Sequence, residues 1–116
     1  MTGLLAGAGF LEVLFWLLVG HAACDFAFQT DWMARSKDPW HGGSSERWPH
    51  ALFAHCMLQG GAVAMVTGSV LLAAAEVVLH FAADMAKCRG LVGMHADQAL
   101  HVACKLAWAA VFCWVL

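Results

Sequence analysis

Charge is scarce in this sequence. Asp, Glu, Lys and Arg make up 12% of its 116 residues, where a water-soluble domain carries about 25%. So few charged groups cannot cover a water-facing surface, although a chain of this length can bury a core. The hydrophobic share is 62% and the mean hydropathy +0.71. Together these values point to an integral membrane protein. There is no basic run and no RNA-type aromatic motif, and the net charge is only −2, which excludes nucleic acid as a partner. Tyrosine is absent, so any interfacial aromatic belt falls to tryptophan. Trp32, Trp40 and Trp48 flank the most polar stretch, as interfacial aromatics do.

The five cysteines include no CxxC pair. An odd number inside apolar runs argues against a disulfide framework, and they read as buried small hydrophobes. Cys88 stands apart because it continues the spacing of His80 and Asp84. The first apolar run lacks the basic n-region of a signal peptide. "HAAC" resembles a lipoprotein cleavage box, but His21 stands where an aliphatic residue belongs, so this segment reads as a retained helix.

Proline is nearly missing too. Pro39 and Pro49 both lie in "ARSKDPWHGGSSERWPH", the one stretch with the Gly, Ser and charge content of a loop. The chain from His50 to Cys88 then has two readings. One long span over Ala51–Ala75 would place His55 and His80 roughly 37 Å apart on one helix, at opposite membrane faces. A hairpin turning at Thr67–Ser69 gives two spans near the lower length limit of about 17 residues. The hairpin is preferred. A single domain, residues 1–116, follows, with spans at about 4–30, 50–66, 70–88 and 97–116: an all-α, integral membrane four-helix bundle. Arg35, Lys37 and Arg47 lie in the first connection and Lys87 and Arg89 in the third. The positive-inside rule makes that side cytoplasmic and puts both termini outside.

This topology gathers the ionisable residues. His21, Asp25 and Gln29 are four apart and share one helix face. They fall at the cytoplasmic end of the first span. His55 starts the second, His80 and Asp84 end the third, and Asp97, Gln98 and His101 start the fourth. "HAACD" and "HFAAD" repeat as H-x-A-x-D, suggesting two pseudo-repeated helical hairpins about a twofold axis. An acidic or basic residue in mid-bilayer costs about 2.5–3.5 kcal/mol on insertion scales, so several need a shared purpose.

A His and an Asp one turn apart can reach one metal ion. Nitrogen and carboxylate donors suit a divalent metal, with zinc first and manganese or iron as alternatives. The candidate ligands are His21, Asp25, His55, His80, Asp84, Asp97 and His101. Gln29 and Gln98 would orient them. Glu76 extends the ladder as a ligand or a general base. Lys105 would neutralise a carboxylate or bind an anionic substrate group, and Lys87 would snorkel to the interface. Glu12 lies about 20 Å from Asp25 and reads as an outer-interface residue. His41 and His50 read as loop residues. Gly60, Gly61 and Ala64 form a small-residue face suited to helix packing or a homodimer. Two alternatives to a metal stay open: a metal-free polar network, and a proton or ion path.

These residues carry a resemblance. The chain resembles the bacterial and phage membrane family called domain of unknown function 3307, with the pattern G-H-x-x-x-D-F-x-x-Q-T-x-x-x-A-x-x-K, a later His, H-x-x-x-D-x-x-K and D-Q-x-x-H. Gly20, His21, Asp25, Phe26, Gln29, Thr30, Ala34 and Lys37 match the first block. His55 matches the second, His80, Asp84 and Lys87 the third, and Asp97, Gln98 and His101 the fourth. The resemblance implies a multi-pass protein of the bacterial inner membrane and supplies no reaction. A fainter similarity in spacing runs to small membrane-bound metal-dependent hydrolases, and through them to zinc phospholipase C and P1 nuclease. That similarity implies phosphoester hydrolysis.

Three functions are therefore expected in order. The first is a metal-dependent hydrolase acting on a phosphoester or lipid headgroup at the cytoplasmic interface. The second is a non-enzymatic phage or prophage membrane factor, for instance one that excludes a second phage through a host membrane protein. The third is a small ion or proton carrier.

Overall fold

A computed structural model describes residues 4–116; the first three residues of the expected domain lie outside them. The described residues form five α-helices: α1 (Phe10–Ala22), α2 (Asp31–Ser36), α3 (Arg47–Thr67), α4 (Val70–Cys88) and α5 (Met94–Trp114), with a π-helical turn, Ala23–Ala27, continuing α1. No strand occurs among the described residues.

The first helical run is shorter than expected at both ends. Gly7 sits at φ +82°, a left-handed conformation open to glycine that a right-handed helix cannot contain, so α1 begins at Phe10 and not Leu4. At the other end the π-helical turn closes before Phe28. Thr30 then caps a new helix, its Oγ1 accepting from the Met33 amide at 3.2 Å. The loop reading of residues 34–50 therefore gives up its start to α2 and its end to α3. Pro49 lies in the first turn of α3, where a missing N–H costs nothing.

The hairpin forms where expected. Thr67 ends α3, Gly68 adopts φ +71° as its left-handed cap, and Ser69 caps α4 by accepting from Leu72 N at 3.1 Å. A single 51–75 helix is thereby ruled out. In the bundle, α3 and α4 pack most extensively against each other, and α1 and α4 each lie against both α3 and α5. The two H-x-A-x-D helices thus face one another across a diagonal.

Three of the helices turn a stripe of four residues inward, while α3 buries a wider face. In α1 and its π-turn the stripe is Val13, Leu17, His21, Asp25; in α4 it is Leu72, Glu76, His80, Asp84; in α5 it is Asp97, His101, Lys105, Ala109. At one end the stripes meet as an apolar core of Val13, Leu17, Val63, Val66, Leu72 and Ala109. Toward the other end they turn polar. Among the described residues, the buried set contains more polar and charged side chains than apolar ones, while Leu11, Phe15, Leu71, Val78 and many other large hydrophobics are exposed. The usual partition is inverted. One helical stretch, Phe10–Ala27, is long and apolar enough to cross a membrane, and only 28% of it is buried.

Candidate metal centre

The polar ends of the four long helices converge. His55 Nε2 lies 3.1 Å from Asp25 Oδ1 and 3.1 Å from His80 Nε2, and His80 Nε2 is 3.5 Å from the same Asp25 oxygen. These three atoms form a nearly equilateral triangle. Asp84 adjoins it, with Oδ2 3.4 Å from His55 Nε2 and Oδ1 3.7 Å from His80 Nε2 and 3.8 Å from His101 Nε2. The His80 and His101 rings stack at 4.2 Å. Asp97 Oδ1 is 3.2 Å from His101 Nε2, yet neither atom has an aligned hydrogen-bond partner.

Three sets of buried side chains could each hold a metal ion: Asp25/His55/His80, His80/Asp84/His101 and Asp25/Asp97/His101. A tetrahedral zinc with bonds of about 2.0–2.1 Å spaces its ligand atoms about 3.3 Å apart, which is the spacing of the first triangle. Six of the seven candidate ligands fall in these sets. His21 does not. Its Nε2 lies 2.9 Å from Gln98 Oε1, and the Gln98 amide donates in turn to Asp25 Oδ2 at 3.0 Å and Asp97 Oδ2 at 3.3 Å. Gln98 thus ties His21 to two carboxylates. Gln29 donates to the backbone oxygen of Asp25 at 2.8 Å, holding the end of the π-turn.

Below this layer Glu76 is fully engaged. Oε1 accepts from Lys105 Nζ at 2.6 Å and lies 3.3 Å from His80 Nδ1; Oε2 accepts from Trp108 Nε1 at 2.6 Å. Lys105 is 1% exposed and spends its charge on Glu76. Lys87 Nζ, half-buried, is 3.5 Å from Asp97 Oδ2.

Lys37, Gln59 and Trp108 join the network without having been singled out as site residues. Lys37 reaches in from the end of α2 and donates to Asp84 Oδ2 at 2.6 Å. Its position in an apparent solvent loop concealed it, and its place in the first resemblance block was the one signal. Gln59 donates to Asp25 Oδ1 at 3.0 Å; it follows His55 by four residues, the spacing shared by His21/Asp25, His80/Asp84 and Asp97/His101. Trp108 carries no such signal, because an indole in an apolar helix reads as packing. Cys88 belongs to none of the three metal sets. Glu12, His41 and His50 are exposed, and His41 pairs locally with Asp38 at 3.0 Å.

The buried charges do not balance. Asp25, Glu76, Asp84 and Asp97 are buried against only two buried lysines, Lys37 and Lys105. A divalent cation or two imidazolium rings would close that deficit, and leaving it open would be costly. Two imidazoliums placed at His55 and His80 would bring N–H against N–H at their 3.1 Å approach; charge carried on the other buried rings, His21 and His101, would avoid that clash. A cation accepts both lone pairs, so the donor set fits a metal.

The family model "Protein of unknown function (DUF3307)" matches residues 13–116, and the chain belongs to that family. No curated protein and no solved structure matches it.

Proposed function

We propose that this member of the family is a membrane-embedded, metal-dependent hydrolase acting on a phosphoester or lipid headgroup at the cytoplasmic interface. The observation that carries the reading is the triangle of Asp25 Oδ1, His55 Nε2 and His80 Nε2, with edges of 3.1, 3.1 and 3.5 Å. Hydrogen bonding alone would leave two ring nitrogens competing for one proton, whereas one cation satisfies all three atoms. Zinc suits the nitrogen and carboxylate donors best, with manganese or iron as alternatives.

A bound divalent metal would supply a water of near-neutral pKa and polarise a phosphoryl or carbonyl oxygen. The protein's own groups do the rest. Asp25, held by Gln59 and Gln98, keeps its carboxylate aimed at the centre. Glu76, with both oxygens occupied, lies 3.3 Å from His80 Nδ1 without an aligned hydrogen bond and positions that ring by its charge instead of acting as a base. That role passes to a carboxylate outside the coordination sphere, for which Asp97, with Oδ1 free of an aligned donor, is placed.

The membrane placement rests on the inverted partition and on length. α3 and α5 have 21 residues each and α4 has 19, hence about 28–32 Å, against a hydrocarbon core of about 30 Å. The exposed apolar faces would meet lipid, and the polar stripes would meet one another. Arg35, Lys37, Arg47, Lys87 and Arg89 mark the cytoplasmic end, with both termini outside. The bilayer is the first partner; a homodimer or a host membrane protein comes second.

The test is elemental analysis of detergent-purified, tag-free protein beside a His80→Ala/Asp84→Ala variant. About one zinc, manganese or iron per chain, lost in a variant that remains helical, is the expected result. No metal in either protein would overturn the reading in favour of a polar network without a metal, in which the Gln59 and Gln98 amides hold Asp25.

A further inference from the structure

The sequence offered Lys105 as a group for an anionic substrate, but Lys105 is sealed against Glu76. Two other lysines border open space. A polar cavity of about 210 Å³ lies between α2 and the C-terminal end of α4, lined by Gln29, Lys37, Asp38, Asp84, Lys87 and Cys88. Its floor is the Lys37–Asp84 pair, and Asp84 is a member of the His80/Asp84/His101 set. The cavity therefore leads from the outside of the bundle to the candidate metal centre.

We propose that this cavity binds a phosphoryl group through the ammonium groups of Lys37 and Lys87. The inference rests on the hydrolase reading and names the part of the substrate that the site holds. An ammonium has three donors. Lys37 spends one on Asp84, and Lys87 has only a loose approach, 3.5 Å, to Asp97. Each retains protons for phosphoryl oxygens. The acidic wall is already engaged: Asp38 Oδ1 accepts from the Trp40 and His41 amides, its Oδ2 pairs with His41, and Asp84 is paired with Lys37. Gln29, whose Oε1 has no hydrogen-bond partner, also lines this wall. The volume falls below the roughly 300–1,000 Å³ of pockets that enclose a whole ligand. It suits a head group whose remainder stays outside, which describes both a free phosphomonoester and a lipid phosphate.

Inorganic phosphate is the probe, titrated calorimetrically into detergent-purified protein of known metal content. Lys87→Gln is the deciding variant, because Lys37→Gln strips Asp84 of its partner and risks the fold. Arg89→Gln is the control: an exposed positive charge at the same bundle end that does not line the cavity. Loss of one charge-assisted contact should weaken phosphate binding about tenfold in Lys87→Gln and leave Arg89→Gln unchanged. Equal effects in the two variants, or none in either, overturn the proposal. Metal present with phosphate binding indifferent to Lys87 removes this inference and leaves the hydrolase reading standing. Phosphate binding that depends on Lys87 in a protein without metal does the reverse. Nanodiscs of phosphatidic acid, beside phosphatidylcholine, identify the source. Competition with phosphate by the former alone assigns a lipid head group, and competition by neither assigns a soluble phosphomonoester.

Discussion

His21 and His80 hold the same place in the same five-residue pattern, on helices that face each other across the bundle, yet they do different things. His80 lies in regular helix and enters two of the three metal sets. His21 lies where α1 passes into the π-turn, and its ring turns to Gln98. One helical turn earlier the contrast repeats: Glu76 precedes His80, and the buried, apolar Leu17 precedes His21. The second half thus carries a supporting layer of Glu76, Lys105 and Trp108 that the first half lacks. In compensation, the π-turn aims Asp25 at the centre of the bundle, where His55, Gln59 and Gln98 hold it. Such turns frequently occur at functional sites. A repeated sequence pattern therefore does not imply repeated roles; the surrounding layer decides which His enters the candidate metal sets.

The largest effect should separate the two histidines. His80→Ala is expected to bring metal content to background, while His21→Ala keeps about one ion per chain and loses only stability, about 1 kcal/mol for its hydrogen bond. Elemental analysis and thermal melts of the two variants make the test. Equal metal loss in both would mean that the halves are equivalent after all.

The next effect concerns the supporting layer. Glu76→Gln leaves Lys105 buried without a counter-charge and should cost about 3–5 kcal/mol. Glu76→Leu/Lys105→Leu copies the apolar layer of the first half and should be more stable than Glu76→Gln in denaturant melts, since well-packed apolar replacements of a buried ion pair are often neutral or better. Its metal affinity should still fall about 10–100-fold, because His80 Nδ1 loses the carboxylate that orients it. A double variant with unchanged metal affinity would remove the positioning role from Glu76.

The smallest effect lies between neighbouring glycines. A Cβ on Gly60 would stand 2.5 Å from Val77 Cγ2 and 2.9 Å from the Ala73 oxygen, while one on Gly61 meets nothing within 4 Å. Gly60→Ala should cost about 1–3 kcal/mol and Gly61→Ala less than about 0.5 kcal/mol, both read from thermal melts. The part of the small-residue face formed by Gly60 is used inside the chain, against α4.

Much of this was legible because the polar residues recur every four positions in otherwise apolar helices, and because Thr67–Gly68–Ser69 has the composition of a helix cap on both sides. The ladder of His80, Asp84, Asp97 and His101 could be placed at one depth by counting. The π-turn could not, since one extra residue per turn leaves no mark in a short apolar run. Lys37 was hidden for a different reason: a lysine among Gly, Ser and Pro reads as solvated, and only the packing of α2 against α3 brings it inside. Gln59 obeys the four-residue spacing from His55, and its link to Asp25 is visible only once α3 is packed against the π-turn.

On the proposed membrane placement, the tight turn at Gly68–Ser69 bears on how the chain would enter a bilayer. Glu76, Asp84 and Lys87 on α4 would be exposed to hydrocarbon if that helix entered alone, each at a cost of about 2.5–3.5 kcal/mol when central. A connection this short gives α3 no freedom to wait elsewhere. In the membrane reading, the two helices cross as one unit with His55 and Gln59 of α3 already turned toward the acidic stripe, so biogenesis of the hairpin and construction of this part of the site are a single event.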